Sequence, residues 1–205
     1  TSLSNIGIVH NINKGDYEKA LEYFDRSLAI VEEMGDNQLM YKILGNIGLV
    51  HKNKDDYDKA LEYQSRSLAI AEEIGDKTSV GKNIKVIGDV YSDKGDYDTA
   101  LDYYERALEI AEQLGDKFGM FIILNTIGRM YDVKSDYDTA LDYHKMMLEI
   151  TKERSDKLWI GYSLTCIGFL HYIKGNYEKA LGHLEKSLAI QKEIGFKELE
   201  LETTT

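Results

Sequence analysis

The fold is decided by the stretch Ile87-Gly88-Asp89-Val90-Tyr91 and the run that follows it, Tyr97-Asp98-Thr99-Ala100-Leu101-Asp102-Tyr103-Tyr104-Glu105-Arg106-Ala107-Leu108. The pattern returns every 40 residues. Tyr97 is in step with Tyr17, Tyr57, Tyr137 and Tyr177, and Ala100-Leu101 with Ala20-Leu21, Ala60-Leu61, Ala140-Leu141 and Ala180-Leu181. Ile87-Gly88 recurs as Ile47-Gly48, Ile127-Gly128 and Ile167-Gly168, while Ile6-Gly7 falls one residue early, so the first copy carries one extra residue within 10–13. In-phase copies at a fixed period mark a repeat array.

Each unit reads as two helices. From Tyr17 the residues Tyr17, Ala20, Leu21, Phe24, Leu28 and Val31 recur at spacings of three and four, one broad apolar face of a helix. Asp16, Asp56, Asp96, Asp136 and Asn176 precede these second helices as N-caps, whose side-chain oxygen accepts from an otherwise unpaired first-turn N–H. One residue earlier stand Gly15, Asp55, Gly95, Ser135 and Gly175, at the left-handed position that closes the first helix. Gly35-Asp36, Gly75-Asp76 and Gly115-Asp116 stop one helix and cap the next, so first helices are predicted from about 37 to 53 and at every 40-residue step after it. Gly48 and its equivalents sit in mid-helix, where glycine costs about 1 kcal/mol relative to alanine. Facing the small Ala60 series, they predict a close backbone approach within each hairpin. One hairpin buries no core alone, and stacking supplies it.

Composition bounds the chemistry. The 205 residues carry a net charge of −11, which disfavours nucleic acid and anionic membranes as partners. The single cysteine, Cys166, allows neither an intramolecular disulfide nor a thiolate zinc site. Proline is absent, as uninterrupted helices require. No apolar run approaches a membrane span and no secretory signal opens the chain, so a cytoplasmic protein is expected.

The quoted residues, with Tyr97, Ala100, Tyr104 and Ala107, resemble the tetratricopeptide repeat family over essentially the whole chain. The unit departs from the family's usual 34 residues and closes its second helix with Gly-Asp instead of proline. In this it resembles the 40-residue subclass of Pins-like adaptors and bacterial signalling regions. The resemblance implies an all-α, right-handed superhelical solenoid of antiparallel hairpins. One array over 1–205 is expected, with repeats at about 1–35, 36–75, 76–115, 116–155 and 156–195 and a partial first helix over 196–205. Thr1 and Thr205 align with mid-helix positions, so the chain is expected to be a piece of a longer array. The family is a scaffold, which implies a non-enzymatic protein or peptide interaction module without cofactor. Self-association through the array ends, or service as the regulatory part of a larger signalling protein, are the alternatives.

The residues encode no legible active site. His10, His51 and His171 occupy the slot of Tyr91 and Tyr131, so packed ring-sized residues are expected there. No two histidines, His144 and His183 included, share an i, i+3 or i, i+4 spacing, which leaves no one-helix metal site. Cys166 precedes an Ile-Gly pair and is expected to be buried and inert. The acidic turns lack a calcium loop's terminal glutamate, and Gly81-Lys82-Asn83 lies within a predicted helix rather than a phosphate loop.

In the family, ligands lie on the concave face lined by first helices. The first-helix windows contain eight basic residues and only Asp89, Asp93 and Asp132 as acids, so this layer is basic in an otherwise acidic chain. Groove slots vary where core slots do not: Lys42, Lys82, Ile122, Tyr162; Ser4, Gly45, Lys85, Asn125, Thr165; Ile8, Leu49, Asp89, Arg129, Phe169; Asn11, Lys52, Ser92, Asp132, Tyr172. Lys42, Lys82, Lys85, Asn125 and Arg129 are candidate carboxylate holders. Tyr162, Phe169 and Tyr172 are candidate aromatic anchors for a peptide or for a further repeat. An acidic or apolar segment is the expected ligand. A chaperone-tail clamp is disfavoured, because Leu49 and Asp89 stand where that clamp needs asparagine. Repeat 4, with Ser135, Met146-Met147 and Arg154-Ser155, is expected to be the least stable hairpin.

Overall fold

The structure, a computed structural model, describes residues 3–7 and 16–203, with side chains over 3–7 and 16–195. The described residues are all-α. After a short helical stretch over 3–7 come α1 (Tyr17–Met34), α2 (Asn37–Asn53), α3 (Tyr57–Glu73), α4 (Lys77–Asp93), α5 (Tyr97–Leu114), α6 (Lys117–Val133), α7 (Tyr137–Glu153), α8 (Lys157–Ile173) and α9 (Tyr177–Thr203). The pairs α2/α3, α4/α5, α6/α7 and α8/α9 are the hairpins of the 40-residue unit. The chain forms two compact units, 1–114 and 115–205, cut between whole hairpins.

The turns follow from the caps. Asp36, Asp76, Asp116, Asp136 and Asp156 each accept from the N–H three residues on, at 3.0, 3.1, 2.9, 3.3 and 3.4 Å. Asp56 makes no such cap bond and instead lies 3.3 Å from His51 Nδ1 and 3.3 Å from Lys59 Nζ. The left-handed position is taken by Gly35, Gly75, Gly95, Gly115 and Gly175, and equally by Asp55, Ser135 and Ser155 at φ 58°, 60° and 56°. The α1 end shows why: the N–H of Asp36 reaches back to the carbonyl of Val31 and that of Gly35 to Glu32, closing the last turn.

Within the first unit Ala20, Phe24, Leu28, Val31, Ile43, Leu44, Ile47 and Val50 form one core cluster. Within the second, Ala140, Leu141, Leu148, Leu164, Ile167 and Leu170 do the same. Burying each leucine-sized side chain is worth about 1.5–3 kcal/mol. A Cβ on Gly48 would stand 2.8 Å from Gln64, on Gly88 2.9 Å from Tyr104, and on Gly128 2.8 Å from His144. At these three glycines the nearest atoms belong to side chains, and the residue four after the Ala60 series fills the notch; at Gly168 the Ala180 carbonyl would lie 3.3 Å from such a Cβ. The ring slot is packed as the spacing predicts. His51 stacks on Tyr63, Tyr91 on Tyr103, Tyr131 on Tyr143 and His171 on His183, with centroids 5.4–5.6 Å apart.

At the C-terminal end the structure differs from the separate first helix expected over 196–205. α9 runs unbroken from Tyr177 to Thr203. Phe196 stands where Asp76 caps α4, so no side-chain oxygen draws the backbone out of the helix, and Gly195 stays inside it. Ile8, His10, Asn11 and Gly15 lie outside the described residues, as do the side chains beyond Gly195.

Candidate functional site in the first-helix layer

In the first unit α2 and α4 lie side by side with α3 behind them, and their shared face holds a depression of about 450 Å³. Its rim carries Lys42, Lys82 and Lys85, its apolar wall Leu49 and Val86, and its floor Gln64. The three lysines do not offer equal charge. Lys85 Nζ is held by both carboxylate oxygens of Asp89, at 2.8 and 3.0 Å, and Asp89 also accepts from the Tyr104 hydroxyl at 2.9 Å. Lys52 is similarly engaged with Asp93 at 2.6 Å. Lys42 is exposed, its ammonium 5.6 Å from the Tyr41 ring centroid. Lys82 is exposed and makes no ion pair among the described residues. Lys82 is thus the most available cation on the rim.

Tyr41 and Asp76 stiffen one edge. The Tyr41 hydroxyl donates to Asp76 at 2.7 Å and Ser79 Oγ donates to the same oxygen at 2.8 Å, and these bonds hold the Asp76 carboxyl below the usual range.

The second unit presents a different face on α6 and α8. The Tyr162 hydroxyl donates to Asn125 Oδ1 at 3.2 Å, so this candidate pair is brought together. Phe121 packs edge-on against Trp159 at 4.3 Å and Tyr162 at 6.2 Å. Phe169 and Tyr172 are 57% and 58% exposed, side chains available to a partner. Arg129 is exposed on the same helix as Asn125. Cys166 is half-buried, and burial pushes its thiol up, away from a reactive thiolate. His144 is 1% exposed, with Nε2 3.8 Å from Asp132 Oδ2; burial lowers the imidazole and raises the carboxyl. The candidate residues thus fall into two sets, Lys42, Lys82 and Lys85 on the first unit and Asn125, Arg129, Tyr162, Phe169 and Tyr172 on the second. Sequence reading did not single out Gln64, although the slot that holds Phe24 and Tyr104 visibly departs there.

Among the described residues no group of three His, Cys, Asp or Glu side chains could hold a metal ion. No helix among them is long and apolar enough to cross a membrane. Gly81-Lys82-Asn83 lies inside α4, so its backbone N–H groups are not arranged to cradle a phosphate.

The folded chain is similar to several solved structures. BtubC (BKLC) from P. vanneervenii matches with a TM-score of 0.82 at 20% identity, over 94% of this chain and 80% of that one. Aspartyl phosphate phosphatase F from Bacillus subtilis matches with a TM-score of 0.83 at 17% identity, over 94% of this chain and 50% of that one. A Rap protein complexed with competence and sporulation factor matches with a TM-score of 0.69 at 17% identity, over 93% of this chain and 53% of that one. The chain therefore spans about half the length of the last two. At these identities the likeness is one of fold. No curated protein matches the sequence. Family models described as tetratricopeptide repeat match residues 1–73, 39–113, 82–153 and 161–194. The chain belongs to the tetratricopeptide repeat family.

Proposed function

We propose that this chain is a non-enzymatic interaction scaffold that holds a peptide segment of its partner along the first-helix face, with acidic and apolar residues preferred. The observation that carries the reading is the depression on α2 and α4, where the exposed ammonium of Lys82 and the apolar Leu49 and Val86 share one rim. A carboxylate there gains a charge-assisted bond while an apolar neighbour leaves water. Basic segments meet lysines instead. The Rap protein solved with competence and sporulation factor supports the reading only in that a similar fold is found there in complex with that factor. The second unit has its own candidate face, with Tyr162, Phe169 and Tyr172 as exposed aromatic anchors and Asn125 and Arg129 as polar contacts. Titrating acidic–apolar and basic peptide pools at low and high salt tests the proposal. Acidic pools bind more tightly and lose affinity with salt; tighter binding of basic pools overturns it.

A second reading has its own observation. Leu181, Leu184 and Leu188 on α9 are 59%, 38% and 49% exposed, whereas Leu141 and Leu148 in the same slots of α7 are 7% exposed. This uncovered face suits weak self-association, promoted by salt because net charge opposes it. Light scattering that finds a strict monomer at high concentration in about 0.5 M salt, where screening has removed the repulsion, removes this reading.

A further inference from the structure

Three departures from the repeat pattern converge at one place in the first unit. Gln64 stands where the other repeats have Phe24, Tyr104, His144 and Leu184. Asn83 stands where they have Ile43, Ile123 and Ser163, and Gly45 where they have Ser4, Lys85, Asn125 and Thr165. Gln64 and Asn83 are 1% and 8% exposed, in the class of residues that fold buried only with their polar atoms satisfied.

Their hydrogen bonds fix which way each carboxamide faces. The Gly45 carbonyl can only accept, so the Gln64 group 2.9 Å from it is the amide nitrogen. Gln64 Oε1 is then turned away and has no partner. Ser67 Oγ spends its one proton on the Tyr41 carbonyl at 2.7 Å, so the Asn83 group 2.9 Å from Ser67 Oγ must also be the donating nitrogen. Asn83 Oδ1 is thereby fixed as an acceptor as well. Both oxygens face the space left by the missing Gly45 side chain, where a Cβ would lie 3.8 Å from Asn83 Oδ1 and 4.0 Å from Gln64 Oε1. That space opens into the depression, which Gly45, Gln64 and Asn83 all line.

A buried, unpartnered acceptor carries an uncompensated desolvation cost, so a ligand that supplies a donor here gains from the start. The donor is not a cation, because Lys42 and Lys82 stand on the rim above. A peptide N–H has one proton for two acceptors. A side-chain carboxamide has two, and its own carbonyl oxygen is left to accept from Lys82.

We propose that the first-unit groove selects peptides by seating an asparagine or glutamine carboxamide against Gln64 Oε1 and Asn83 Oδ1 at the Gly45 gap. An acidic neighbour in the same peptide meets Lys82. This rests on the groove reading above and names what that groove recognises. The repeat supplies the hairpin, and Gly45, Gln64 and Asn83 supply the specificity.

The test begins with the full 205-residue chain immobilised and a displayed library of random dodecapeptides panned against it. Expected is enrichment of sequences pairing Asn or Gln with Asp or Glu. In the best selected peptide, replacing the carboxamide residue by Leu or Asp weakens binding at least tenfold. Gln64→Met removes the acceptor at similar volume, and against it the same replacement changes affinity less than twofold. Gly45→Ala fills the gap with a Cβ at ordinary contact distance, 3.4 Å from Ser67 Oγ, and weakens the selected peptide without lowering the melting temperature. If enriched peptides lack a carboxamide, or Gln64→Met keeps the full preference, the seat is overturned while peptide binding stands. If nothing is enriched, or binding ignores Lys82→Ala, the groove reading falls and the seat with it.

Discussion

Hairpins α2/α3 and α6/α7 use one scaffold and differ at the buried slot that faces the mid-helix glycine. In the first the glycine notch at Gly48 is filled by Gln64, in the second the notch at Gly128 by His144, and both side chains are 1% exposed. Gln64 is neutral at every pH and keeps one oxygen free toward the groove. His144 faces a carboxylate, Asp132, and burial works against the charged form of each. The comparison teaches that the notch sets only the size of the filler. What the filler's polar atoms do is settled by the neighbours on the first helix, Gly45 in one case and Asp132 in the other.

The largest expected effect breaks this comparison through packing. A Cβ on Gly128 meets the rigid His144 ring at 2.8 Å, whereas one on Gly48 meets the Gln64 amide nitrogen at 2.8 Å at the end of a flexible chain. Gly128→Ala should destabilise by about 1–3 kcal/mol, and Gly48→Ala by clearly less. Denaturant melts of both variants check it, and equal losses would show that the filler's stiffness is irrelevant.

Binding is the next lever. Lys82→Ala should weaken an acidic peptide several-fold and flatten its salt dependence. Lys85→Ala should do little, because Asp89 already neutralises Lys85. Calorimetric titration of the two variants separates them, and a larger loss at Lys85 would contradict the assignment of the available cation.

A pH experiment extends the contrast to α8/α9. His171 is lowered by burial first, then by His183, Lys179, Lys145 and Lys174. His183 is lowered by burial, then by Lys186 and Lys152. A histidine with a lowered folded value takes up protons first in the unfolded chain. The hairpin therefore keeps full stability above the ordinary imidazole value of 6.5 and loses it as pH falls below. Replacing both by tyrosine reproduces the Tyr131–Tyr143 stack and should flatten this dependence. Hydrogen exchange on α9 at pH 7.5 and 5.5 reads it, and unchanged protection in the native chain would be the contrary result.

The smallest effect concerns the turns. Ser135 holds φ 60°, where an L side chain is strained and glycine is not. Ser135→Gly should stabilise α6/α7 by about 0.5–1 kcal/mol. Asp55→Gly should gain less, because aspartate tolerates this region and Asp55 also accepts from the Tyr57 hydroxyl at 3.0 Å. If hydrogen exchange shows Tyr137 to Thr151 as the slowest region, Ser135 does not mark a weak hairpin.

The fold was legible because core slots repeat: Tyr97, Ala100 and Leu108 recur at 40 residues, and cap chemistry is local in sequence. The end of α9 was legible in part, since Phe196 visibly replaces an aspartate, yet the expected helix break rested on the ruler alone. The groove was legible as a basic layer but not as available charge. The Lys85–Asp89 pair stands at i, i+4 and could have been read, whereas Lys52–Asp93 joins two first helices and could not. The orientation of Gln64 depends on the Gly45 carbonyl across the hairpin, which no local pattern carries. What the sequence does carry is the break in the slot itself, glutamine where rings and leucine stand.

The central claim is that a ligand peptide lies on the first-helix face of the first unit. The direct measurement is to place a photo-crosslinking residue at the middle of an acidic–apolar peptide that binds the chain, irradiate, and map the attachment by mass spectrometry. The account predicts adducts on α2 and α4 around Lys42, Leu49, Lys82 and Val86, reduced by excess unlabelled peptide. Adducts confined to the acidic second helices α3 and α5, or unaffected by that competitor, would contradict it.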